Sequence, residues 1–231
     1  MSQSAAVTLT DAELAQLIDH TLLRPDAAAA DVERLCQEAR QHGFYAVCVN
    51  GSRVVQAAHW LEGTDVKIAT VVGFPLGAMD ADAKRFETDC VVDLGAQEVD
   101  VVLNIGRLKD GDERYVLREL RDVVEAAEGV PVKVILECCF LTDDEKRRAC
   151  SLVVESGARF VKTSTGFGSA GATVSDVALL RECVGPKFGV KAAGGIRTRE
   201  TAWAMLNAGA TRLGTSASVA LLAANGAPLV D

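Results

Sequence analysis

The sequence is poor in the groups that usually hold metal ions. Its 231 residues include three histidines, His20, His42 and His59, with no HxH or HExxH spacing. A centre built on imidazole ligands is therefore not expected. The seven cysteines (Cys36, Cys48, Cys90, Cys138, Cys139, Cys150, Cys183) contain no CxxC pair. An odd, scattered set without an export signal is expected to stay reduced in a cytoplasmic protein. The opening residues, MSQSAAVTLTDAELAQ, have neither a basic n-region nor a long apolar stretch, so no signal peptide is expected. No apolar run reaches the roughly 18 residues of a membrane span. No Lys/Arg-rich run interrupts a net charge of −8. Neither membrane nor nucleic acid is an expected partner, and an anionic substrate must be held by local donors.

What is present is a regular alternation. At 49% hydrophobic and 24% charged residues, the chain can bury a sizeable core. Apolar, β-branched runs of strand length recur at Tyr45–Val49, Lys67–Val72, Val99–Ile105, Val132–Leu136, Phe160–Ser164, Phe188–Ala192 and Arg212–Thr215. Ile18–Leu23 supplies a short eighth. Near-continuous apolar strands suit a parallel sheet covered on both faces. Helical periodicity lies between them. Asp31–His42 groups Val32, Leu35, Cys36 and Ala39, and Asp112–Ala127 groups Tyr115, Leu117, Leu120, Val123 and Val124; Arg199–Ala208 continues the pattern. Gly43, Gly95, Gly157 and Gly209 stand between helix and strand, as left-handed C′ residues do. Eight such units predict an α/β fold, a (β/α)8 TIM barrel. Residues 1–231 read as a single domain with a short N-terminal helical extension. An open doubly wound sheet would give the same periodicity.

A barrel carries its chemistry at the carboxyl ends of its strands, so charge near those ends is informative. Lys67 and Lys133 stand where strands begin and read as solvated flanks. Lys162 and Lys191 differ. Each follows an apolar pair and precedes a loop of small residues, Thr163-Ser164-Thr165-Gly166 and Ala192-Ala193-Gly194-Gly195. Taken singly, either has a structural reading as an ion-paired lysine. Together, on neighbouring strands, the two amines share one mouth, where desolvation and like charge both favour the neutral form. A lysine of pKa ~10.4 is about 0.04% neutral at pH 7, and a fall of ~3 units makes that roughly 30%. Neutral amine is the form that attacks a carbonyl. Asp100, Asp19 and Glu137 are the acids placed to balance these lysines or to move protons, and spacing does not rank them.

Two glycine-bearing loops come last. Gly194-Gly195-Ile196 follows the seventh strand and Gly214-Thr215-Ser216 ends the eighth, where backbone N–H groups can approach an anion. Phosphate sites after strands 7 and 8 are frequent in barrels. Gly166-Phe167-Gly168-Ser169-Ala170-Gly171 matches G-x-G-x-x-G, but a dinucleotide domain opens with that fingerprint and here it falls in the final third. It reads as a loop at the mouth, and no cofactor is expected.

These segments resemble the deoxyribose-phosphate aldolase family. The likeness is carried by Ile18-Asp19-His20-Thr21, by Val72-Gly73-Phe74-Pro75-Leu76-Gly77, and by Glu98 to Gly106 (EVDVVLNIG). It continues through Phe160 to Phe167 (FVKTSTGF), Val190 to Thr198 (VKAAGGIRT) and Arg212 to Ser216 (RLGTS). The resemblance implies a metal-free, class I aldolase that reversibly cleaves 2-deoxy-D-ribose 5-phosphate to D-glyceraldehyde 3-phosphate and acetaldehyde. It implies that Lys162 forms the Schiff base, that Lys191 perturbs it, and that Asp100 moves protons. Asp19, Thr165, Gly166, Gly194, Gly195 and Ser216 are implied to bind substrate, with the phosphate against Gly166, Gly194, Gly195 and Ser216. The expected partners are a sugar phosphate and aldehydes, and a homodimer is an assembly open to the chain. Two departures touch the phosphate. Some family members have a basic residue where Phe167 stands, and many have a second serine where Ala217 stands. Rival readings are another phosphate-binding Schiff-base aldolase, an isomerase that could spare Lys162, or a non-catalytic metabolite-binding barrel. The last should lack one of Lys162, Lys191 and Asp100.

Overall fold

The computed structural model describes residues 9–223. Its strands are β1 (Ile18–Leu22), β2 (Ala46–Val49), β3 (Lys67–Val72), β4 (Glu98–Val102), β5 (Val132–Ile135), β6 (Phe160–Lys162), β7 (Gly189–Ala193) and β8 (Arg212–Thr215). The helices are α1 (Asp11–Ala15), α2 (Ala29–His42), α3 (Val54–Leu61), α4 (Ala81–Asp93), α5 (Ile105–Lys109), α6 (Glu113–Ala126), α7 (Asp143–Ser156), α8 (Val174–Val184), α9 (Arg199–Asn207) and α10 (Ser218–Ala223). Each strand pairs in parallel with the next, and β1 closes on β8 through Ile18–Leu213, Asp19–Gly214 and His20–Thr215. That closure separates the (β/α)8 barrel from the open sheet of the same periodicity. None of the described helices is long and apolar enough to cross a membrane.

The strands are less uniformly apolar than they read. Val99, Val101, Val132, Val134, Val161, Val190, Ala192 and Leu213 belong to the large core between barrel and helices. The residues alternating with them point inward: Glu98, Asp100, Lys133, Lys162, Lys191 and Arg212, all buried. One side of the interior is therefore charged. The other is apolar, with Cys48, Ala69 and Val71 packed together with Leu23 and Phe74.

Two expectations are corrected outside the barrel. The Val99–Ile105 strand stops at Val102, because the Asn104 side chain accepts from the Arg107 N–H (3.2 Å) and caps α5. On α6 the buried face is Val116, Glu119, Leu120, Val123 and Ala126, whereas Tyr115, Leu117 and Val124 are only half-buried. Glu119 escaped an apolar count because its charge is answered by Lys84 of α4. The Lys84 ammonium, fully buried, donates to Glu119 (2.7 Å) and to the Val102 carbonyl (2.8 Å), tying α4 and α6 to the end of β4.

Candidate active site

At the carboxyl ends of the strands lies a cavity of about 290 Å³. Lys162, Thr165, Gly166, Phe167, Gly194, Gly195 and Ser216 are on its wall, together with Arg24 and Arg197. The loops that build it are cross-tied. The Thr163 hydroxyl donates to the Ala193 carbonyl (3.2 Å) and accepts from the Ala193 N–H (3.1 Å), locking the ends of β6 and β7 together. Ala172 N–H donates to the Ala193 and Gly194 carbonyls (3.1 and 3.0 Å), folding the loop after β6 across the loop after β7. A Cβ on Gly171 would stand 2.2 Å from the Gly194 oxygen, so only glycine permits this crossing. The G-x-G-x-x-G segment is thus a loop of the mouth: Gly166 and Phe167 face the cavity and Gly171 packs its back. Thr165 is anchored from below by Glu137, whose carboxylate accepts from the Thr165 hydroxyl and from its N–H (3.3 Å).

Behind Lys162 lies a continuous network of charge. Register sets Lys162 beside Lys191 across β6 and β7, and Asp100 beside Lys133 across β4 and β5. Lys162 (2.8 Å) and Lys191 (2.7 Å) both donate to Oδ2 of Asp100, while Lys133 donates to Oδ1 (2.7 Å). Lys191 also donates to Asp19, which lies 3.9 Å from Lys133 and accepts from Arg212 (2.8 Å). Glu98 closes the lower end, contacting Lys133 (2.7 Å), Arg212 (3.1 Å) and the Tyr45 hydroxyl (3.3 Å). The Arg212 guanidinium lies over the Tyr45 ring at 3.6 Å and the Phe160 ring at 5.5 Å, so these side chains floor the barrel. Gly214 leaves the room that Lys191 needs, since a Cβ there would come within 3.0 Å of the Lys191 side chain.

The network divides the two amines. Burial pushes Lys162 below its ordinary value, and Lys191 adds to that, against the pull of Asp100. Burial also works against charge on Lys191, but Asp100 and Asp19 outweigh it and hold that ammonium protonated. For Asp100, burial disfavours the anion, yet Lys133, Lys162 and Lys191 keep it ionised well below the usual carboxylate range. Asp19 behaves alike, with Lys191, Lys133 and Arg212 bringing it down to about 2 against its burial. Like charge and desolvation were expected to favour neutrality in both lysines. They do so only for Lys162, because Lys191 has a second carboxylate. Cys48 faces the barrel interior, and burial raises its thiol.

Residues 14–226 match the family model described as DeoC/LacD family aldolase. The chain belongs to the DeoC/LacD aldolase family. Among similar proteins, the deoxyribose-phosphate aldolase of Alkaliphilus oremlandii is 56% identical over 210 residues, covering 90% of this chain and 95% of that one. That of Aciduliprofundum boonei is 56% identical over 212 residues, covering 91% and 96%. The solved tetrameric deoxyribose phosphate aldolase of Aeropyrum pernix superposes with a TM-score of 0.87 at 35% identity, covering 93% of this chain and 92% of that one.

Within this DeoC/LacD barrel, the residues singled out from sequence fall into two tiers. Lys162, Thr165, Gly166, Gly194, Gly195 and Ser216 share the cavity wall, whereas Lys191, Asp100 and Asp19 lie beneath it, almost wholly enclosed. Asp19, grouped from sequence with the substrate contacts, is off the cavity wall and is linked to Lys162 through Lys191 and Asp100. Lys133 is a correction: it is no solvated flank but a fully buried lysine with three carboxylates around it. Its position at a strand's beginning misled, because strand alternation turns it inward and closure of the barrel shuts it off from water. Glu98 and Arg212 were not singled out at all. Their signal was a charge alternating with apolar residues inside a strand. Arg24 and Arg197 also line this wall, the Arg24 guanidinium being paired with Asp26 (2.8 Å) and Asp31.

Proposed function

We propose that this chain is a deoxyribose-phosphate aldolase acting through a Schiff base on Lys162. The carrying observation is that, among the described residues, Lys162 alone of the buried lysines reaches the cavity, with its ammonium disfavoured by burial and its neighbour Lys191 held cationic. Neutral Lys162 attacks C1 of 2-deoxy-D-ribose 5-phosphate, and loss of water leaves an iminium. A base removes the C3 hydroxyl proton, the C2–C3 bond breaks, and its electrons pass into the iminium to give an enamine. D-Glyceraldehyde 3-phosphate leaves with C3 to C5. Protonation of the enamine carbon and hydrolysis release acetaldehyde and regenerate the amine. Asp100 and Lys191, within hydrogen-bonding reach of each other and linked to Lys162 through one oxygen, are the groups to carry those protons. The phosphate is assigned to Gly166, Gly194, Gly195 and Ser216, supplemented by Arg24 and Arg197 on the same wall. Single-domain organisation, a homodimeric assembly and a cytoplasmic setting complete the proposal.

Borohydride reduction with acetaldehyde, followed by peptide mass mapping, tests the nucleophile. A stable two-carbon adduct on Lys162 is expected, with turnover reduced at least about a thousandfold in Lys162→Ala. Full turnover by the alanine variant would overturn the mechanism.

A further inference from the structure

Among the described residues, four bases and three acids share the barrel interior: Lys133, Lys162, Lys191 and Arg212 against Asp19, Glu98 and Asp100. With every group charged, the cluster holds one positive charge too many. It is neutral when a single base is unprotonated, and an uncompensated charge in a dry interior is costly. Geometry selects that base. Among the described residues Lys133 contacts three of the carboxylates, and Lys191 and Arg212 contact two each. Lys162 contacts one, Asp100, and shares the accepting oxygen with Lys191. It is also the one member of the cluster on the cavity wall, where a released proton can leave.

We propose that Lys133, Glu98 and Arg212 are positioning residues that set the protonation of Lys162 by fixing the charge count of the interior, Lys133 and Arg212 favouring the neutral amine and Glu98 opposing them, although none of them reaches the cavity. The inference rests on Lys162 being the nucleophile. Asp100, Lys191 and Cys48 act on it directly, and the rest of the interior's titratable groups are Asp19 on β1, Glu98 on β4, Lys133 on β5 and Arg212 on β8, with Cys48 on β2, Asp100 on β4 and Lys191 on β7. β3 contributes Ala69 and Val71, without charge. Glu137, beyond β5, is engaged with Thr165 and stands outside the count. Charge bookkeeping gives predictions of opposite sign. Lys133→Met leaves three bases and three acids, so Lys162 becomes the cation that restores balance and its pKa rises. Glu98→Gln leaves four bases and two acids, and the pKa of Lys162 falls further. The double variant returns to one base in excess, as in the unaltered protein.

The amine is titrated by NMR of protein carrying 13C at the lysine ε-carbon, the Lys162 signal being assigned by its loss in Lys162→Met. A rise of about one unit or more in Lys133→Met, a fall in Glu98→Gln, and a return to within about half a unit in the double variant are expected. General loosening of the barrel would move both single variants the same way. That result, or a double variant that fails to return, overturns the proposal. Circular dichroism monitors folding, and should Lys133→Met not fold, Arg212→Met carries the same upward prediction. Acetaldehyde trapping is run in parallel: normal titration behaviour with no adduct in the unaltered protein would overturn the nucleophile and leave the charge count standing.

Discussion

At the scale of single residues, the site depends on a contrast between two identical side chains. Lys162 and Lys191 sit side by side in register, and one extra carboxylate holds Lys191 as an ammonium while burial disfavours charge on Lys162, the proposed nucleophile. The absence of a side chain at Gly214 belongs to the same contrast, since Lys191 extends over it. Gly214→Ala is expected to push Lys191 by a few tenths of an ångström and to lower kcat by on the order of tenfold, with steady-state kinetics as the check. KM is expected to rise as well, because Gly214 lines the cavity and its new Cβ would stand 3.1 Å from that of Ala193 on the same wall. The two lysines were legible in the sequence because a charge at the end of an apolar run is conspicuous. Lys133 was not. The same charge at the start of a run looks like a flank, and only closure of the barrel shows that it has no water to reach. Asp100, Asp19 and Glu137 could be named as acids of the interior, but their partners come from strands far away in the chain.

At the scale of elements, the outer layer holds a second buried pair whose role is mechanical. Lys84 and Glu119 fasten α4 and α6 to the carboxyl end of β4, the strand that carries Asp100. Burial pushes both groups toward their neutral forms, and each holds the other's charge against it. Lys84→Met strands a carboxylate in that layer and is expected to cost about 3–5 kcal/mol in denaturant unfolding. Replacing both partners with apolar residues of similar size should cost much less. Neither residue stood out in the sequence, for the same reason that Glu98 and Arg212 did not: a paired charge inside an amphipathic pattern reads as noise. The order of strands and helices, by contrast, was legible nearly throughout, from the alternation of apolar runs and the glycines that end helices. Gly43, Gly95, Gly157 and Gly209 all adopt the positive φ expected of them. Boundaries slipped where a polar side chain turns to cap the next helix, as Asn104 does.

At the scale of the whole molecule, the interior charges link stability to pH. Asp19, held near 2, and Asp100, held lower than usual, bind protons less readily folded than unfolded. Their stabilisation is therefore present above the ordinary carboxylate value and disappears as pH falls through the folded one. Unfolding followed by circular dichroism should show stability falling from about pH 4 downward. The alkaline side has the opposite sign. Lys133 and Lys191, raised when folded, stabilise fully below the ordinary lysine value and lose that contribution above it.

The floor formed by Tyr45, Phe160, Glu98 and Arg212 has a consequence for the traffic of hydrogen. The stacked rings and guanidinium stand between the network and the open cavity below it, whereas Lys162 is on the wall of the mouth cavity with Lys191 one carboxylate oxygen away, so these two ammonium groups have their shortest way to bulk water through the mouth. While substrate occupies that opening, the hydrogens inside form a small reservoir whose exchange is slowed. An atom taken from the sugar hydroxyl in the bond-breaking step would then be available to the nascent acetaldehyde, and the product's methyl group would keep a trace of the substrate's own isotope.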